Sequence, residues 1–371
     1  MKKILKKITA MNYRFILLLI LVQVILQPAS AQANSETRNF IKTLPVGKET
    51  SMEIYNKYGT IQITQWKKDS AMIRAEIKAV ASNNEKLGKM FDGISINMTE
   101  SRDLIRAETQ FTQNIGMIFE NFKGMTSKLI SYDSKVEINY YISMPEYLNL
   151  KIENKYGDVY MEDITGSFSI SLSNGSFKAN SIGKNSTMTL TFCDATINSL
   201  SSGKIDASFS EVSSNEFGDV SINSISSKYE VKKAGTITIE SRRDKFYIDN
   251  IKSIKGNSYF TDFNLKNLNR EASLSTKYGN FNIDLIENGF EAVNLKTGYT
   301  DVSLGFEPGS SYNIDIRHLN SFLVVSDKSA RTEKKVLNED KKEYITTGTV
   351  GKNPGGSKVS IDATHGDIYL K

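Results

Sequence analysis

Apolar and polar residues alternate along most of this chain, and through its middle the alternation itself repeats. Dividing the sequence after Ile164, Ile182, Leu200, Phe217, Ala234, Ile251, Leu268 and Ile286 leaves pieces of 17 or 18 residues. Five positions before each division stand Val159, Phe177, Ala195, Val212, Tyr229, Phe246, Phe263 and Phe281. Three before it stand Met161, Ala179, Ile197, Ser214, Val231, Ile248, Leu265 and Ile283, and twelve before it Ile152, Ile170, Met188, Ile205, Ile222, Ile239, Gly256 and Leu274. The residues between these columns are mostly Ser, Asn, Asp, Lys and Thr. Period-two alternation is the signature of strands, so each piece predicts two short strands. Seven positions before each division lie Gly157, Gly175, Cys193, Ser210, Ser227, Asp244, Thr261 and Gly279, small or turn-forming residues that suit a tight corner.

One such unit cannot stand alone. About five buried apolar side chains contribute roughly 1.5–3 kcal/mol each, whereas ordering the backbone costs at least about 1 kcal/mol per residue. Neighbouring units must supply the difference by stacking and sharing ladder hydrogen bonds, which is the energetics of a repeat stack. The expected fold is therefore all-β: a single-stranded β-solenoid, parallel β-helix-like, of 17–18-residue coils. An antiparallel meander is the rival, but it tolerates drift in spacing that this repeat does not show.

The flanks predict other elements. Residues 51–66 read as two strands around Gly59, and Ala71 to Val80 alternates again. Asn83 to Phe91 suits a short helix capped by Asn83 or Asn84, and Ile94–Met98, Leu104–Ala107 and Val136–Met144 return to strand. The expected division is 1–31 as a signal peptide, 32–147 as an N-terminal β-rich capping region with the helix and an insertion at 113–131, 148–326 as the solenoid, 327–356 as a polar mobile loop, and 357–371 as a last coil. The insertion, with Met117, Phe119, Phe122 and Met125, reads as a loop or helix packed on the solenoid end or, alternatively, as a membrane or partner contact.

Residues 1–31 have a basic start, an apolar run from Phe15 to Leu26 and small residues before a cut near Ala31, the three-part layout of a cleavable secretory signal. The run is short of the roughly 20 residues a membrane span needs, and no later segment is apolar enough. The expected location is thus the periplasm or cell surface of a bacterium. The formal net charge of +5 resides in this leader, through Lys2, Lys3, Lys6, Lys7 and Arg14. Without it the chain is close to neutral, which removes the basic surplus expected of a nucleic-acid binder.

Several motifs together are familiar. The signal is followed by Tyr58-Gly59-Thr60-Ile61-Gln62-Ile63 and Trp66; later, Ile142-Ser143-Met144-Pro145 leads into Leu148–Ile152 and Tyr156-Gly157-Asp158-Val159. Over roughly 38–306 and the last coil, the chain resembles the bacterial family of exported putative adhesins with repeated β-strands, a domain of unknown function. The resemblance implies a β-solenoid and brings no catalytic residues with it.

Candidate chemistry is sparse. One cysteine, Cys193, excludes an intrachain disulfide, and 2 His leave no zinc cluster to assemble. His318 and His365 read as surface residues and Cys193 as a structural thiol. Just after the corner stand Asp158, Asp194, Glu211, Asp262 and Asp301, which in stacked coils would be near one another; such a row suits either a hard cation or the acid–base pair of a glycan-cleaving enzyme. Lys228, Lys245, Ser176 and Asn280 interrupt it, which favours a solvated edge. Tyr156, Phe192, Phe209, Phe260, Tyr278 and Tyr299 form a further column, read as core or corner packing if it faces in and as a sugar-binding strip if it faces out.

The resulting expectation is a non-enzymatic binding, adhesion or scaffold protein of the cell envelope. It has no catalytic, cofactor or metal residues assigned, and its ligand is an unidentified glycan or protein. A polysaccharide-active enzyme and an envelope regulatory or sensory module are the alternatives.

Overall fold

A computed structural model describes residues 34–112 and 134–371. The expected signal at 1–31 and the insertion at 113–131 lie outside the described residues. The fold is mostly β, 74% strand, in one large and largely parallel sheet of long strands.

Through the middle, β10 (Phe168–Ile182), β11 (Ser186–Ser208), β12 (Glu211–Ile225), β13 (Lys228–Arg242), β14 (Lys245–Tyr259), β15 (Asp262–Ile286) and β16 (Ala292–Phe306) pair in parallel, each with the next. Phe177 lies beside Ala195, Ala195 beside Val212, Val212 beside Tyr229, Tyr229 beside Phe246 and Phe246 beside Phe263, so the inner column follows the spacing of the sequence. These side chains are buried, together with Ile170, Met188, Ile205, Ile222 and Ile239 from the other half of each layer. The register slips beyond Ile251, where the turn before Glu271 is longer.

The layer order departs from chain order at both ends. β2 (Ser51–Lys57) and β3 (Ile61–Gln65) form a layer that pairs directly with β8 (Asn149–Lys155) and β9 (Val159–Met161). The residues between them build the end cap. There β6 (Leu104–Phe111) and β7 (Ser134–Met144) cover the other side of the layer in parallel. Antiparallel strands β5 (Ile94–Ser101), β4 (Ser70–Ala81) and β1 (Asn34–Pro45) then extend the sheet. The expected helix is α1 (Asn84–Asp92); Asn83 caps it by accepting the Lys86 N–H at 2.8 Å, and Leu87 and Phe91 are buried beneath it.

At the other end, the expected last coil is a layer of β21 (Lys358–Thr364) and β22 (Ile368–Leu370), but it is not the outermost. It is inserted between β16 and the layer of β17 (Tyr312–Leu319) and β18 (Leu323–Val325), pairing in parallel with both. The segment expected to be a polar mobile loop, 327–356, instead holds a hairpin of β19 (Arg331–Asn338) and β20 (Glu343–Val350), with β20 antiparallel to β17. The reason is edge protection: the hairpin covers β17, and its own outer strand is exposed throughout and carries Lys334 and Lys335, which discourage further pairing. Among the described residues, no helix is long and apolar enough to cross a membrane.

Candidate functional site

Every layer turns one corner through a residue with positive φ. In spatial order these are Tyr58, Tyr156, Asn174, Phe192, Phe209, Ser226, Arg243, Phe260, Tyr278, Tyr299, His365 and Asn320, with φ between 47° and 66°. This is the left-handed region, which asparagine and glycine enter readily and bulky residues rarely. The corner thus needs the backbone conformation and does not need an aromatic ring, as Asn174 and Asn320 demonstrate.

The residue after the corner points inward and ties one layer to the next. The N–H of Cys193 donates to Ser210 Oγ at 3.1 Å, that of Ser210 to Ser227 Oγ at 3.2 Å, and that of Ser227 to Asp244 Oδ1 at 2.7 Å. Glycine stands here where layers approach closely: a Cβ on Gly157 would lie 2.0 Å from the Gly59 carbonyl oxygen. Cys193 is buried in this row, and burial pushes its thiol up, in keeping with a structural role.

Three of the five acidic residues are engaged as caps, and the other two, Asp194 and Glu211, stand in register in adjoining layers. Asp158, Asp262 and Asp301 accept the backbone N–H of Ser176, Asn280 and Asp367 in the adjoining layer at 2.8, 3.1 and 2.9 Å. Among the described residues, no group of three or more His, Cys, Asp and Glu is placed to hold a metal ion. His318 is a correction: it is buried, not at the surface, because it sits on the inward side of β17 under Tyr344 of the hairpin. Its Nδ1 lies 3.0 Å from the Ser321 carbonyl oxygen, and burial lowers its pKa. His365 does stand at a corner, stacked on Tyr299 with centroids 4.4 Å apart.

The corner aromatics face outward. Phe192 is 56% exposed, Phe209 53%, Tyr299 51% and Phe260 46%. Their rings stack along the layer axis: Tyr58 on Tyr156 (5.5 Å), Phe192 on Phe209 (5.0 Å), Phe260 on Tyr278 (4.8 Å) and Tyr278 on Tyr299 (5.2 Å), with interplanar angles of 15° or less. The sequence placed these residues in one column but did not show which way they point. The usable signal is a slip in the alternation: at Tyr259-Phe260 and at Lys277-Tyr278, two outward residues stand together before the small inward one.

A polar groove of about 800 Å³ runs along another face, past Tyr160, Lys178, Asn198, Lys232, Tyr247 and Lys266. Some of its groups are paired: Lys266 with Asp249 at 2.6 Å, and Asn215, which donates to Asn198 at 2.8 Å. The aromatic corner is the stronger candidate, because Phe192, Phe209, Phe260 and Tyr299 stay about half exposed even though they stack.

The architecture is that of a mostly β, largely parallel stack with an exposed aromatic corner. The chain is structurally similar to bacterial putative adhesins and cell adhesion proteins at low sequence identity. One is a putative cell adhesion protein from Clostridium sporogenes ATCC 15579, with 13% identity and a TM-score of 0.18, covering 91% of this chain and 99% of that one. Another is a putative adhesin from Parabacteroides distasonis ATCC 8503, with 11% identity and a TM-score of 0.29, covering 90% of this chain and 97% of that one. No protein-family model and no curated protein matches the sequence.

Proposed function

We propose that the chain winds as a single-stranded β-solenoid, with 148–326 as its body, and that after export it serves as a non-enzymatic binding or adhesion protein of the cell envelope. The winding is supported by the parallel pairing at offsets of 17 or 18 residues and by the two buried columns per layer. Export is supported by the leader sequence.

The observation that carries the binding reading is the aromatic corner. A bulky residue in the left-handed region costs roughly 1–2 kcal/mol, and each stacked ring pair returns about 0.5–1.5 kcal/mol. Stacking therefore only offsets the strain, and asparagine would hold the same corner with neither. A long row of half-exposed rings is what an interaction surface presents to a partner. It is a row rather than a pocket, which suits extended ligands such as glycan chains. Of the carboxylates that an enzymatic reading would use, Asp158, Asp262 and Asp301 are committed to backbone N–H groups, which leaves only the register neighbours Asp194 and Glu211.

The test compares the purified protein with a triple variant, Phe192→Asn, Phe260→Asn and Tyr299→Asn, in which every corner keeps a residue that tolerates it. Both are applied to immobilised envelope polysaccharides, matrix proteins and whole bacterial cells. Retention by at least one surface, weakened about tenfold or more in the variant at unchanged melting temperature, is the expected result. Equal retention of the two proteins, or none by either, overturns the proposal.

A further inference from the structure

The aromatic row is interrupted at Asn174 and again, over two consecutive layers, at Ser226 and Arg243, and the second interruption has its own chemistry. Between Phe209 and Phe260 the corner residues are Ser226 and Arg243. Phe209 stacks on Phe192 on one side and Phe260 on Tyr278 on the other, so each has a ring face turned toward the gap. Three layer spacings of about 4.8 Å put these faces roughly 14 Å apart. After one van der Waals contact distance of about 4 Å, roughly 10 Å separates them, a notch bordered by the side chains of Ser226 and Arg243. Tyr259, 39% exposed, stands edge-on to Phe260 at 4.7 Å and broadens that wall.

The notch is also where the corner turns positive. One layer contributes Arg242 just before the corner, Arg243 at it and Lys245 just after it, all exposed. Among the described residues, the side chains of these three form no ion pair. The equivalent positions are Ser208, Phe209 and Glu211 in the layer before the gap, and Tyr259, Phe260 and Asp262 in the layer after it. Lys228, in the remaining layer of the notch, is held by Glu230 at 2.6 Å, and the Asp262 carboxylate is turned to Asn280. An arginine without an ion-pair partner, at a corner position between two aromatic corners and flanked by a cation on each side, is complementary to a flat apolar body bearing a negative charge.

The geometry points to a binding site in this notch for an acidic glycan, a chain whose sugar units carry carboxylate or sulfate groups. The proposal rests on the reading of the aromatic row as a binding surface, and it names the substrate class. A sugar ring lies against Phe209 or Phe260, and its anionic group meets Arg243. The chain crosses the corner perpendicular to the row, so acidic groups on neighbouring units reach Arg242 on one flank and Lys245 on the other. A neutral glycan meets the same rings but leaves three cations unanswered.

Calorimetric titration of the purified protein tests this with four probes: hexagalacturonate (carboxylate), a heparin-derived hexasaccharide (sulfate), maltohexaose (neutral) and a twelve-residue oligothymidylate. Arg243→Asn removes the cation while keeping a residue suited to the corner, Phe260→Asn removes one wall, and Tyr156→Asn alters the row outside the notch. The expected result is binding of at least one acidic hexasaccharide at least about tenfold tighter than maltohexaose. Arg243→Asn and Phe260→Asn each weaken it by about tenfold or more, Arg243→Lys restores part of it, and Tyr156→Asn weakens it less than either. The carboxylate and sulfate arms identify the charged group.

Maltohexaose binding as tightly as the acidic probes overturns the site, as does oligothymidylate binding equally well, which would mean that charge alone is read. Loss of binding in Tyr156→Asn with none in Arg243→Asn overturns the notch but leaves the row as a binding surface. So does failure of all four probes while the row-dependent retention on cells persists. Failure of both measurements removes both readings.

Discussion

Two rows of stacked aromatic rings stand only three residues apart in sequence. The inner row contains Tyr229, Phe246 and Phe263, with centroids 4.8 and 5.2 Å apart and interplanar angles of 8° and 9°. The outer row contains Phe260, Tyr278 and Tyr299, with spacings of 4.8 and 5.2 Å and angles of 14° and 15°. Ring geometry is the same because the layer spacing sets it in both. Solvent exposure is opposite: the inner rings are fully buried, whereas Phe260 and Tyr299 are about half exposed and Tyr278 is partly so. The difference comes from one backbone feature, the left-handed corner residue, which turns its side chain out of the alternation that buries its neighbours. Stacking alone therefore reveals neither stability nor function; what each row does must be read from what lies on its other sides.

The sharpest way to break the comparison is to delete one ring from each row. Phe246→Ala opens a cavity between Tyr229 and Phe263 and should destabilise the fold by about 3–5 kcal/mol. Phe260→Ala removes an exposed ring and should change stability by less than about 1.5 kcal/mol, the worth of one stacked pair. Urea unfolding monitored by circular dichroism measures both. Equal losses would mean that the outer row is part of the core.

That contrast also marks how far the sequence was legible. The inner columns were readable because their period-two alternation coincides with burial, and residue partners such as Val212 and Tyr229 follow from spacing alone. The direction of the corner residues was not, since positive φ has no strong signature when Phe and Tyr occupy it in place of Asn or Gly. The hairpin at β19 and β20 was missed because its outer strand is exposed on both faces and so carries no alternation. Its cover in turn buries His318, on the same side of β17 as Ile314 and Ile316. The insertion of the 358–370 layer between β16 and β17 is a choice among equivalent edges, which periodicity cannot rank. Of the candidate site, the column membership of the rings was visible. The notch was visible only as a break in that column.

A smaller effect separates the rows by pH. Asp244 is the inward neighbour of Arg243, and burial pushes its carboxyl above the ordinary value of 3.8, against hydrogen bonds from Ser241 and the Ser227 and Arg242 N–H groups that favour the charged form. A raised folded-state pKa means that the folded protein holds this proton more tightly than the unfolded chain. Its stabilising contribution is therefore fully present below about pH 3.8 and is lost as pH rises through the folded value. Asp244→Ser, which places in this layer the residue that Ser210 and Ser227 supply in theirs, should remove that part of the pH dependence. Melting curves of the two proteins from acid to neutral pH measure the difference; parallel profiles would show that the Asp244 proton is not linked to folding.

Within the inner row, Tyr229 carries a hydroxyl that Phe246 and Phe263 lack. That hydroxyl is buried near that of Ser224, and the two do not meet in good hydrogen-bond geometry. A buried polar group left unpaired is unfavourable by about 1–3 kcal/mol, so Tyr229→Phe should raise stability, by about 1 kcal/mol once local relaxation is allowed for. Denaturant midpoints check the sign, and a loss of stability would mean that the hydroxyl finds a partner in solution.

The smallest expected change is the most informative for the outer row. Phe209→Asn exchanges a ring for the residue that already holds the corner at Asn174 and Asn320. It gains roughly 1 kcal/mol by relieving the left-handed strain and loses about 0.5–1.5 kcal/mol of stacking on Phe192. The two nearly cancel, and the denaturation midpoint should move by less than about 1 kcal/mol in either direction. A loss of several kcal/mol would assign the corner rings a structural task and take from the binding surface the argument that the fold does not require them. A near-null result leaves ligand contact as the reason that rings, rather than asparagines, occupy the corner.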